Sequence, residues 1–149
     1  MEHMIAIEEH LLLPSQGDHF ARCYAVDQKY EMLLQHGEQR LRNMDAAGID
    51  IAILSAVSDG LQGMDATHQG LGGTLESKIK VQTETAVKWN DELYQIVESH
   101  PDRYRGFAAL PMTSPIEAAN EFRRCVDKLG FVGALINGFD STANGTPNY

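Results

Sequence analysis

Short apolar runs rich in β-branched residues alternate along this chain with stretches whose apolar positions recur every three or four residues. The first pattern suits buried strands and the second amphipathic helices, so their regular alternation predicts strand–helix units around a parallel sheet. The strand runs are Met4–Ile7, Ile49–Leu54, Arg105–Leu110 and Phe131–Ile136. Helical spacing covers Glu38–Ala47, with Leu41, Met44 and Ala47 on one side, and about Lys78–Ser99, where Ala86, Asn90, Leu93 and Val97 form a stripe flanked by Trp89 and Ile96. A third helix follows Ser114, and its expected buried face is Ala118, Phe122, Cys125, Val126 and Leu129.

Local signals fix several ends. Ser114, Pro115 and Glu117 supply an N-cap, a proline at the first helical position and the acidic residue of a capping box. Gly48 and Gly130 are helix stops, and His100-Pro101 ends the long helix. The polar stretch after the first strand, with Pro14 and Gly17, is too long for an ordinary connection and reads as a functional loop. Residues 56–77 hold Gly60, Gly63, Gly70, Gly72 and Gly73, an irregular excursion that suits either a lid or a disordered insert. No helical pattern follows the last strand. A parallel edge strand with one uncovered face is unusual, so the ending reads as an interruption of a single domain spanning 1–149.

Composition narrows the function classes. Twelve Lys and Arg against 21 Asp and Glu leave a net charge of −9, which disfavours nucleic acid as a partner. There is no membrane-length apolar run and no basic-then-apolar leader, so the expected compartment is the cytoplasm. Cys23 and Cys125 lack the spacing of a disulfide framework or zinc knuckle. Cys125 is expected to be a small buried hydrophobe, and Cys23 a free thiol in a polar loop.

The candidate chemistry sits at Glu8-Glu9-His10. Residues two apart on a strand share a face, so Glu8 and His10 can converge while Glu9 turns outward. A carboxylate and an imidazole suit zinc or manganese. Such spacing is common, and taken alone it better fits a strand leaving the core with polar residues at its exposed end. Ser55 and Asn137, at the ends of the second and fourth strands, can either line a substrate pocket or make strand-end hydrogen bonds. Phe20 and Tyr24, in the loop after the first strand, either face a ligand or pack the loop. His19, His36 and His68 read as solvated.

The segments Ile5–His10, Arg40–Ile49, Ile53–Ser55, Trp89–Leu93, His100–Pro111 and Gly130–Gly138, taken together and in order, resemble the amidohydrolase superfamily, in its branch of metal-dependent aromatic-acid decarboxylases. The resemblance implies the N-terminal half of a (β/α)₈ TIM barrel, a fold of about 250 residues. It implies Glu8 and His10 as ligands of a divalent metal, zinc or manganese, with further ligands and a catalytic Asp/His pair lying outside these residues. The implied reaction is non-oxidative decarboxylation of a hydroxybenzoate-type acid, with the metal as Lewis acid and template. The alternatives are a hydrolase of the same superfamily and a non-catalytic half-barrel that self-associates. A homo-oligomer is the expected assembly.

Overall fold

The computed structural model describes residues 4–16, 32–56, 61, 74–137, 140–141 and 147–148. The element order is β1 (Ile5–Leu11), a 3₁₀ turn (Pro14–Gln16), α1 (Glu38–Ala47), β2 (Ile51–Ala56), α2 (Leu75–Ser99), β3 (Tyr104–Ala109), α3 (Pro115–Leu129) and β4 (Gly133–Leu135). Two short strands, β5 (Asp140–Ser141) and β6 (Pro147–Asn148), pair antiparallel beyond them. The main sheet is parallel with strand order β1-β2-β3-β4. Consecutive strands are therefore neighbours, as in one half of a barrel.

Local chemistry sets the helix ends where the sequence indicated. Gly48 and Gly130 take left-handed φ of 70° and 66° at the C-caps of α1 and α3, a conformation glycine adopts without a Cβ penalty. Ser114 Oγ accepts from Glu117 N at the start of α3. Helix α2 begins earlier than its apolar stripe suggests, because Thr74 caps it through the Ser77 amide.

One sheet face packs under the helices. Tyr104, Gly106 and Ala108 of β3 alternate inward, with Ala52 and Leu54 of β2 beside them. The stripe Ala86, Trp89, Leu93, Ile96 and Val97 of α2 closes that core. Each fully buried leucine here contributes roughly 1.5–3 kcal/mol. The close fit of β3 on β4 depends on two glycines: a Cβ on Gly106 would lie 2.7 Å from the Phe131 ring, and one on Gly133 would lie 2.9 Å from Phe107.

The expected buried face of α3 is corrected in part. Ala118 and Cys125 are buried, but Phe122 and Val126 are 39% and 40% exposed, and Glu121 is buried at 5%. The apolar arc of α3 is wider than the surface that α2, β3 and β4 cover, so its far side stays open. Glu121 can be buried because its carboxylate is fully answered: Arg124 donates to both oxygens at 2.7 and 2.8 Å, and Asn90 donates at 2.7 Å. Burial alone would raise the Glu121 carboxyl pKa, but these hydrogen bonds and the Arg124 charge outweigh it and hold it below the ordinary value.

Helix α2 also carries polar side chains that reach the segments following three strands. Glu92 accepts from Ser15 N and Ser15 Oγ, after β1. Gln82 donates to Leu61 O, after β2, and accepts from Thr113 N, after β3. Asn90 accepts from Ala109 N and donates to Ala109 O, both at 2.9 Å, at the end of β3. The β2–β3 pairing has already stopped at Leu54 and Gly106. The Asn90 amide thus stands where a neighbouring strand would otherwise bond.

The punctuation at His100–Arg103 is structural. Arg103 donates to Asp50 O and Ile49 O and pairs with Asp45 at 2.8 Å, tying the end of α1 to the start of β3. His36 is half-buried rather than solvated. Burial lowers its pKa, with Arg40 and His100 adding to the effect. Its carbonyl accepts from the buried Tyr104 hydroxyl at 3.0 Å.

Candidate metal centre

Glu8, Glu9 and His10 lie toward the C-terminal end of β1, the end at which barrel enzymes place their chemistry. The strand runs on through Leu11, past the apolar run that announced it, because Glu9, His10 and Leu11 pair with Leu54, Ser55 and Ala56. The pairing is irregular: Ala6 sits opposite Ala52 and Glu9 opposite Leu54, so three steps along β1 match two along β2. Glu8 falls inside this bulge with φ 63°. For a residue with a Cβ that conformation costs roughly 1–2 kcal/mol. Plain alternation therefore does not describe the strand end, and the bulge sets how Glu8 is aimed. Glu8 is exposed and His10 half-buried.

Glu9 turns toward α1, where its carboxylate lies 3.8 Å from the Arg40 guanidinium. Arg40 Nη2 also donates to the His10 carbonyl at 2.8 Å. Beside them is a cleft of about 530 Å³ whose lining includes Glu9, His10, Arg40, Met44 and Ile49. Arg40 Nη1 is buried there without a hydrogen-bond partner among the described residues. Sequence reasoning passed over Arg40, although a basic residue in the first turn of a helix opposes the helix dipole. That conflict signals a specific partner.

Ser55 has no exposed surface, and its Oγ is 3.1 Å from His10 Nδ1. Any contact it makes with a ligand would run through the imidazole. Asn137 is half-buried two residues beyond β4, at the same end of the sheet as His10. Phe20, Cys23 and Tyr24, and residues 57–60 and 62–73 of the 56–77 excursion, lie outside the described residues. Cys125 is buried as expected, and burial pushes its thiol up to about 12, with the Glu121 charge and hydrogen bond adding to the shift. It is an inert thiol.

A carboxylate and an imidazole fit a divalent ion as part of a ligand set. Among the described residues no group of three or more His, Cys, Asp or Glu is placed to hold a metal. The donor types fit, and the set is partial.

The amidohydrolase family model matches residues 36–147, and the chain belongs to that family. Within it, the chain is 36% identical over 146 residues to a gamma-resorcylate decarboxylase of Rhodococcus jostii, covering 96% of this chain and 41% of that protein. It is 40% identical over 145 residues to a gamma-resorcylate decarboxylase of Polaromonas sp., covering 93% of this chain and 40% of the relative. The fold matches a dihydroxybenzoic acid decarboxylase from Polaromonas sp. solved with manganese and 2-nitroresorcinol, at TM-score 0.78 and 37% identity, over 100% of this chain and 42% of that one. A 2,6-dihydroxybenzoate decarboxylase solved with 2,6-dihydroxybenzoate gives the same TM-score of 0.78 at 36% identity, over 100% of this chain and 44% of that one. The chain thus spans about two-fifths of the length of the relatives it matches. Its four parallel strands correspond to the N-terminal half of a (β/α)₈ barrel. No helix among the described residues is long and apolar enough to cross a membrane.

Proposed function

We propose that residues 1–149 form the N-terminal strand–helix units of a metal-dependent, non-oxidative decarboxylase of a hydroxybenzoate-type acid, in which Glu8 and His10 hold a divalent ion. The observation that carries this reading is the bulge at Glu8. A glutamate kept in a costly left-handed conformation two residues before a braced histidine, at the C-terminal end of a barrel strand, is the kind of strain that collects at functional sites. The identity to gamma-resorcylate decarboxylases supports the substrate class. Manganese is favoured over zinc because relatives from Polaromonas and Novosphingobium hold manganese.

When bound, such an ion would polarise the carboxylate of a phenolic acid and orient it against the neighbouring hydroxyl. Glu8 supplies the negative charge of the pair and His10 the neutral donor. Arg40 keeps the His10 backbone in place through its carbonyl. Asn137, just beyond the end of β4, is the proposed polar contact for the substrate, with Phe20 and Tyr24 as the proposed contacts for its ring. The cytoplasm is the proposed compartment. Manganese titration of the 149-residue chain, followed by electron paramagnetic resonance, tests the reading. Binding should be weak, because two ligands leave most of the coordination to water, and it should fall at least about tenfold in Glu8→Gln and in His10→Gln. Equal binding by all three proteins would overturn the assignment.

A second reading, a half-barrel that self-associates, has its own observation. Phe122 and Val126 of α3, with Val132 and Ile136 beside β4, are substantially exposed at one edge, and Met4, Ile5 and Ile7 are at least half exposed at the other. Apolar surface of this extent marks an interface. Sedimentation at several concentrations should show a mass above one chain, and a monomer throughout would dismiss it.

A further inference from the structure

His10 and Ser55 are register partners in the β1–β2 pairing, so their side chains leave the sheet on the same face, opposite to the one on which Leu54 is buried. Ser55 is wholly buried, and its hydroxyl oxygen has the His10 Nδ1 atom at 3.1 Å. On the main-chain side, Arg40 Nη2 donates to the His10 carbonyl. Ring and backbone of this one residue are both held.

A neutral imidazole has one N–H and one nitrogen lone pair, and which nitrogen keeps the proton follows from the hydrogen bond the ring makes. A nitrogen that takes a metal must be unprotonated. With Nδ1 engaged by a serine inside the protein, Nε2 is the nitrogen left to face outward. We propose that Ser55 is a positioning residue that accepts a hydrogen bond from His10 Nδ1–H and thereby presents the lone pair of Nε2 to an incoming divalent ion. The tautomer follows from the hydrogen bond, and its consequence for the ion rests on the metal-binding reading above. Partners of this kind fix ring orientation and ligand basicity, and their loss typically weakens metal binding 10- to 100-fold.

The test uses the ¹⁵N-labelled 149-residue chain at mildly alkaline pH, with long-range ¹H–¹⁵N spectra of the histidine rings and the His10 signal assigned by its disappearance in His10→Gln. Wild type should show a protonated Nδ1 and an unprotonated Nε2. Ser55→Ala should move the ring toward the Nε2–H form that predominates for histidine in water, and weaken manganese binding about tenfold. Ser55→Thr, which keeps the hydroxyl, should retain the wild-type tautomer and binding. If Ser55→Ala fails to fold, Ser55→Cys, with its poorer acceptor, takes its place. A wild-type ring protonated at Nε2, or a tautomer unmoved by loss of the hydroxyl, would overturn the proposal. Expected tautomers with no manganese bound by any variant would uphold the role of Ser55 and overturn the metal reading alone.

Discussion

Replacing Asn90 by alanine should be among the most damaging single changes on α2, and the loss can be worked from its contacts. The Asn90 amide accepts from Ala109 N and donates to Ala109 O, and its second N–H goes to Glu121 Oε1. Alanine leaves both Ala109 groups without a partner on the side where the β2 pairing has already stopped, and removes one of the donors that let Glu121 stay charged while buried. At about 1 kcal/mol for each of these three groups, the low end for buried polar atoms without partners, the loss is about 3 kcal/mol. For a chain of this size that lowers the melting temperature by about 6 to 12 °C. The single tryptophan, Trp89, is 7% exposed and adjacent to the substituted residue, so urea unfolding followed by its fluorescence reads the event directly. Asn90→Asp sharpens the test. It keeps the shape but sets a carboxylate against Glu121 and the Ala109 carbonyl, so it should be worse than alanine at neutral pH and approach it as one carboxyl takes up a proton. A loss below about 1 kcal/mol for alanine, or an aspartate milder than alanine at pH 7, would refute the reasoning.

The remaining predictions follow from contacts already described. Because the folded-state pKa of Glu121 is lowered, its ionisation stabilises the fold above the unfolded carboxylate value of about 4.3, and that contribution is lost as pH falls through the lower folded value. Urea midpoints measured across acid pH should show this slope, and Glu121→Gln should flatten it. Gly106→Ala should destabilise by about 1–3 kcal/mol through overpacking against the buried Phe131 ring, measured by the same urea assay. Glu8→Gly should raise stability by up to about 1 kcal/mol, by relieving a left-handed glutamate, while abolishing the manganese signal. Cys125 should resist a thiol reagent at pH 8 in the folded protein and react on unfolding, since its thiol is pushed up to about 12. Reagent counts taken with and without denaturant check it.

What the sequence disclosed was what short stretches decide for themselves. Ser114 caps, Pro115 starts a helix, and Gly48 and Gly130 stop one, whatever surrounds them, and each stands where expected. The strand–helix alternation was equally readable, and the parallel order β1-β2-β3-β4 follows from it. The bulge at Glu8 was not, because it exists only as a mismatch of register between β1 and β2. The burial of Glu121 was hidden for a similar reason: its partners Asn90 and Arg124 come from two helices, and period alone assigns apolar Phe122 to the interior before a carboxylate. Ser55 was visible as a strand-end residue, but its link to His10 depends on which strand lies next door.

The polar reach of α2 has a consequence for how such a protein can change. Gln82, Asn90 and Glu92 hold the end of β3 and the segments after β1, β2 and β3 mainly through the main-chain atoms of Ser15, Leu61, Ala109 and Thr113, with the Ser15 hydroxyl as an added side-chain contact. A grip on amides and carbonyls is indifferent to the side chains those segments display. The rim of the barrel can therefore be resculpted for a new molecule, residue by residue, while one helix goes on holding it in shape.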